Sequence, residues 1–174
     1  MYNISSPIKI IQFLLKPYFC YITETELVRN TLLATIPWMS TEWSISFECR
    51  MTGLKSFWTS IIHFTIGGDN DQIGDRIPAV FWSPLQLLLF ASAVNDTTDN
   101  YEIAIQLNRG YKIEVHQRYI SNGNYRYFIE IDGEEVHSVN TKARQFYNVL
   151  VYTSNPWYDA SPGYISNFKF TNFL

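Results

Sequence analysis

The chain of 174 residues has two cysteines, Cys20 and Cys49, and only 17% charged residues. Two thiols allow a single disulfide and exclude both a disulfide framework and a four-thiolate zinc site. In an oxidising compartment a Cys20–Cys49 bond would tie the N-terminal segment to the first clear strand, and a buried small core residue is the alternative for Cys49. Thirteen Lys and Arg against sixteen Asp and Glu give a net charge of −3, and no basic cluster offsets it. Nothing in the chain would track phosphates, so nucleic acid is excluded as a partner. No apolar run reaches the roughly 20 residues of a bilayer span, because Lys16 and Pro17 break the best candidate, 10–22. No membrane insertion is expected, and the same break makes a poor signal-peptide core. There is no Gly-x-Ser-x-Gly elbow and no glycine-rich loop opening a helix. His63, His116 and His137 stand at no ligand spacing, and His63 and His116 fall on polar-phase positions that predict surface side chains rather than a zinc site.

What is abundant is apolar and aromatic: 47% hydrophobic residues, with twelve Tyr, twelve Phe and five Trp. A chain of this length buries roughly 70% of its unfolded surface, and such residues favour half-buried strands. From Trp43 onward the pattern has period two. In Trp43-Ser-Ile45-Ser-Phe47-Glu-Cys49-Arg-Met51 every odd position is apolar and every even one polar. The alternation returns in Tyr101-Glu-Ile103-Ala-Ile105-Gln-Leu107, in Lys112-Ile113-Glu-Val115-His116 and in Tyr125-Arg-Tyr127-Phe-Ile129-Glu-Ile131, the signature of antiparallel strands with one wet face. Stretches 57–66, 79–82, 86–93, 136–139, 147–152 and 164–170 read as further strands, about ten in all. Asp132-Gly133 suits a type I′ hairpin turn, and Ser121-Asn-Gly123-Asn another tight connection. The predicted fold is all-β, a two-sheet antiparallel jelly-roll sandwich over 43–174. Residues 1–42 form an N-terminal arm or edge segment packing on it, with 23–33 a helical turn or an edge strand.

The order of these features resembles the concanavalin A-like lectin and glucanase superfamily, in particular its laminin-G-like and pentraxin-like branch, over about residues 40–172. The resemblance rests on the opening strand from Trp43, then 58–64, then Arg76-Ile-Pro78-Ala79. The Ile129-Glu-Ile131-Asp-Gly133-Glu-Glu135-Val136 hairpin and the closing Gly163-Tyr-Ile165-Ser-Asn167-Phe168-Lys-Phe170 complete it. It implies a lectin-like module that binds glycans or proteins, often with calcium at one rim. Glucanases of that superfamily carry a Glu-x-Asp-x-Glu or Glu-x-Asp-x-x-Glu strand, which Glu130-Ile-Asp132-Gly-Glu134-Glu135 matches in letters. Catalysis by two carboxylates about 5–5.5 Å apart needs one continuous strand. Here the turn at Asp132-Gly133 would send Glu134 and Glu135 back along the partner strand, so no catalytic residue and no enzyme is expected.

Two loops carry chemistry. The first, Gly67-Gly68-Asp69-Asn70-Asp71-Gln-Ile-Gly74-Asp75, supplies hard oxygens suited to calcium. Alternate loops of an antiparallel sandwich fall at one end, which adds Asp96 and Asp99 to Asp69, Asn70, Asp71 and Asp75 as candidate metal ligands. Five carboxylates would repel unless solvated or neutralised, so Ca²⁺ is the expected cation, and good turn formers are the alternative. The second, at the opposite end, is Asn155-Pro-Trp157-Tyr158-Asp159-Ala-Ser-Pro162-Gly163. Trp157 and Tyr158 offer faces for sugar C–H surfaces, and Asp159 and Asn155 offer hydroxyl partners, unless Trp157 folds inward as a plug.

Two functions fit. One is a non-catalytic extracellular recognition module, as in cell adhesion, binding glycan or an extracellular protein through rim loops. The other is a structural jelly-roll subunit of an extracellular filament or capsid-like assembly, a homo-oligomer docked through the apolar segment 8–22. The sequons Asn3-Ile-Ser5 and Asn95-Asp-Thr97 accord with a secreted or cell-surface location.

Overall fold

The computed structural model describes residues 23–70, 72–94 and 97–173. Cys20, Asp71, Asp96 and both sequon asparagines lie outside the described residues, so the proposed disulfide does too.

Among the described residues thirteen strands form two antiparallel sheets: β1 (Thr25–Glu26), β2 (Leu32–Met39), β3 (Glu42–Met51), β4 (Thr59–Thr65), β5 (Ala79–Trp82), β6 (Leu87–Val94), β7 (Thr97–Ala104), β8 (Gly110–Ser121), β9 (Asn124–Ile131), β10 (Glu134–Thr141), β11 (Phe146–Tyr152), β12 (Asp159–Ala160) and β13 (Gly163–Phe173). One sheet has the order β1-β13-β3-β8-β9-β10; the other runs β2-β11-β4-β5-β6-β7, with β12 added parallel to β4. The predicted β-sandwich is therefore the fold.

The period-two residues meet between the sheets. Odd positions of β3, from Trp43 to Met51, are buried, as are Ile113 and Val115 of β8 and Ile129 of β9. Phe64 of β4 packs on Phe168 and Phe170 of β13 across the core, with centroids 6.2 and 6.0 Å apart. Ile165 and Phe168 both point inward although three residues apart. A bulge after Ser166 with Asn167 at φ 52° inserts one residue and restores the phase.

The Asp132-Gly133 turn forms as expected, both residues at positive φ (53° and 83°), as does Asn122-Gly123 (52° and 71°). Glu130 accordingly faces outward and Glu134 starts the partner strand.

Two predictions need correction. The strand expected at 101–107 runs instead over Thr97–Ala104, pairing residue for residue with β6, so Asp99 sits in a ladder and not in a loop. The described part of the N-terminal segment contributes β1 and β2, one at an edge of each sheet. Pro37 is tolerated in β2 because an edge strand does not need its missing N–H on both sides. Most consequential, His63 is fully buried, because Asn155 and Trp157 of the 153–162 loop lie against its ring.

Candidate functional site

The long β11–β13 connection, 153–162, does not simply close the end of the sandwich. It folds over the outer face of β4. Ser154 N–H donates to Ile61 O at 3.0 Å, Asn155 N–H to Ser60 Oγ at 3.1 Å and Ser161 N–H to Ser60 O at 3.1 Å, while β12 pairs Asp159 with Thr59. Arg29 fastens it from the other side, donating twice to Pro156 O at 3.1 and 2.8 Å. The face that period two marks as wet is thereby roofed, and His63 is enclosed.

Its hydrogen bonds fix its tautomer. Nε2 lies 2.7 Å from the Asp75 carbonyl, which can only accept, so Nε2 carries the proton. Nδ1 therefore accepts from Asn155 Nδ2 at 3.0 Å. Asn155 Oδ1 in turn accepts the N–H groups of Trp157 at 3.1 Å and Tyr158 at 2.9 Å, a closed Asx turn. Burial lowers the His63 pKa, opposed chiefly by the nearby Asp69 carboxylate. The ring is held between Phe81 (5.9 Å) and Trp157 (5.5 Å).

Asn155 is fully buried and committed at both ends of its amide. It shapes the loop rather than facing solvent. Trp157 is no plug: it is 42% exposed. The indole that fills this end is Trp82, fully buried, its Nε1–H given to Gly53 O at 2.9 Å. Beneath the loop a second small core gathers Ala79, Phe81 and Ala91 with Trp58, Leu89 and Tyr158. Phe57, Trp58, Trp157, Tyr158 and Asp159 line an open depression of about 460 Å³, within the roughly 300–1,000 Å³ of small-ligand sites. Asp159 at its edge accepts from Lys55 Nζ at 3.1 Å and Arg29 Nη1 at 3.4 Å. Phe57 and Trp58 escaped the sequence reading, where they were taken into a strand that begins only at Thr59. At the other end, Met39, Trp43, Ser92, Gln117 and Tyr127 surround a cavity of about 20 Å³, room for one water and no ligand.

The acidic loop lies at the end the parity argument assigns: Ala93 N–H donates to Arg76 O at 2.9 Å. Its described carboxylates, Asp69 and Asp75, have partners of their own. Asp69 Oδ1 receives Arg76 Nε at 3.0 Å and is 6% exposed. Asp75 Oδ2 accepts the Asn70 N–H at 2.9 Å, and a Cβ at Gly68 would land on this carboxylate. Asp99 meets His137 Nε2 at 2.7 Å, joining the edge strands β7 and β10 of the two sheets. Asp99 is thus tied from the edge of its own sheet to the edge of the opposite one. Among the described residues, no three His, Cys, Asp or Glu side chains converge as a metal site.

His116 also departs from expectation: it is half-buried, stacked on Phe128 at 4.5 Å, with Nε2 3.6 Å from Glu130 Oε2, too long for a hydrogen bond. Burial lowers its pKa as well, Glu130 opposing.

The fold places the chain among two-sheet antiparallel β-sandwiches. No protein-family model matches the sequence, and no curated protein is similar to it. Among solved structures it is similar to Trypanosoma rangeli sialidase (11% identity, TM-score 0.55, 76% of this chain and 21% of that one). It is also similar to a mutant of HCR/D (12%, 0.58, 85% and 38%). The Ruminococcus gnavus IT-sialidase CBM40, a structure with bound α2,3-sialyllactose, matches over nearly its whole length (10%, 0.53, 89% and 94%). The chain spans about a fifth of the sialidase. At these identities the likeness speaks for the fold.

Proposed function

We propose that this chain is a non-catalytic recognition module of the concanavalin A-like kind that binds glycan on the aromatic face of Phe57, Trp58, Trp157 and Tyr158. One observation carries this. Trp157 is kept half-exposed by the buried hydrogen bonds that run from His63 through Asn155 to its own N–H, where folding it inward would have gained more apolar burial. Sugar C–H faces stack on such rings, and Asp159 has lone pairs to spare for hydroxyls beyond those used by Lys55 and Arg29. The sandwich shared with a carbohydrate-binding module bound to sialyllactose supports the class of ligand. The non-catalytic part of the reading rests on Glu130, which stands at a hairpin end with no second carboxylate following it on one strand. Calcium is left out of the reading: among the described candidates, Asp69 pairs with Arg76, Asp75 accepts the Asn70 amide and Asp99 meets His137.

A glycan array probed with purified protein, followed by calorimetry on the best binder, tests it. Trp157→Ala should weaken binding about tenfold or more, roughly 1.4 kcal/mol, with the fold intact by circular dichroism. Undiminished affinity in that variant, or an array blank across neutral and acidic glycans, would remove the reading.

A further inference from the structure

The hydrogen bonds that hold the aromatic loop tolerate only one protonation state of His63. Nε2–H is committed to the Asp75 carbonyl. Nδ1 accepts from Asn155 Nδ2 at 3.0 Å only while it has no proton. The Asn155 amide cannot turn over to meet a new proton, because its Oδ1 already holds the N–H groups of Trp157 and Tyr158. Rotating it would aim an NH₂ group at two donors. A proton on Nδ1 therefore costs either the His63–Asn155 bond or the Asx turn. A replacement acceptor stands beside the ring: Asp69 Oδ1 lies 3.7 Å from Nδ1, itself nearly buried.

We propose that His63 is an acid-operated latch on the aromatic face, passing from Asn155 to Asp69 when Nδ1 is protonated and so releasing the turn that presents Trp157 and Tyr158. The consequence for ligand rests on the glycan reading above; the latch itself does not. The groups around the ring are few. The 66–78 loop supplies Asp69, Arg76 and the backbone of Gly68 and Asp75; β5 supplies Phe81. The covering loop supplies Asn155 and Trp157, and Tyr152 is the registered neighbour on β11. Asp69 and Arg76 are the charged side chains among them, paired with each other at 3.0 Å.

The sign follows from the lowered pKa. The fold binds this proton less readily than the unfolded chain does. The ring's contribution is therefore complete above the unfolded value, about 6.5, and is lost as pH falls through it towards the folded value.

The test uses the free, ¹⁵N-labelled protein, so it stands apart from any ligand. Ring-nitrogen and backbone amide spectra would be followed from about pH 7.5 to about pH 4.5. As His63 protonates, exchange protection of the Trp157 and Tyr158 amides should fall about tenfold or more, while Val115 in the core keeps its protection. Asp69→Asn, which removes the negative charge of the waiting acceptor, should move the transition to lower pH. His63→Gln, which cannot take the proton, should abolish it. The latch is refuted if His63 protonates with those two amides unmoved, if the ring stays neutral until the whole domain unfolds, or if the transition survives in His63→Gln. A blank glycan array would overturn the ligand reading and leave these spectra as they are.

Discussion

Asn155 donates through Nδ2 and accepts twice through Oδ1, so different substitutions remove different things. Asn155→Leu would orphan His63 Nδ1 and two backbone N–H groups. At about 1–3 kcal/mol per orphaned group it should cost at least about 3 kcal/mol, read by urea denaturation. Asn155→Asp keeps the acceptor for the turn but sets an oxygen against Nδ1. That should make His63 easier to protonate and move its titration to higher pH in the ring-nitrogen spectrum. The role of Asn155 as a turn former is legible in Asn-Pro-Trp. Its bond to a histidine 92 residues away is not, since period two assigns a face to His63 without saying what covers that face. Cys49 is the opposite case. Its place in the Trp43–Met51 alternation announces burial, and burial with Asp132 nearby pushes its thiol up to about 12. Cys49 should resist alkylation near neutral pH in the reduced native protein and react once unfolded, as peptide mass spectrometry would show.

At the scale of elements, the hairpins were the most legible feature, because Asp-Gly and Asn-Gly demand positive φ at both positions and little else satisfies them. Gly133 sits at φ 83° with nothing near its absent Cβ. Gly133→Ala should therefore cost only the backbone strain, about 1–2 kcal/mol, as a lower denaturation midpoint with unchanged slope. Gly68→Ala should cost more, because its Cβ meets the Asp75 carboxylate and must undo the Asn70 bond with it. Strand ends were less legible. β7 begins at Thr97 because its register is set by eight paired residues of β6, a long-range condition that local pattern cannot state. β2 runs through Pro37, and its place at a sheet edge makes that proline harmless. The clasp of Asp99 and Tyr101 on His137, with Tyr127 hydroxyl against Ser92 Oγ at 2.6 Å, likewise joins residues that no spacing rule brings together.

For the whole molecule, the parity of an antiparallel sandwich sorted the loops onto two ends, and the acidic and aromatic loops do leave β4 and β11 in opposite directions. What parity could not foresee is that the aromatic loop turns back over the sheet until His63 touches residues of both. The same limit applies to the acidic rim. A shared end predicts that Asp69, Asp75 and Asp99 gather, but each carboxylate meets another donor: the Arg76 guanidinium, the Asn70 amide and the His137 ring. For calcium to gather them it would have to break an ion pair at a nearly buried Asp69 and pull Asp99 off the opposite sheet's edge. A genuine site saturated a hundredfold over its dissociation constant would add about 2.7 kcal/mol. For a domain of this size that raises the melting midpoint by roughly 5–10 °C. We expect millimolar calcium to leave the calorimetric midpoint where chelator leaves it, and Asp69→Asn to lower it in both conditions alike by freeing Arg76 from its partner. A midpoint that climbs with calcium and returns with chelator would show that the rim rearranges around the ion, and would restore these carboxylates as ligands.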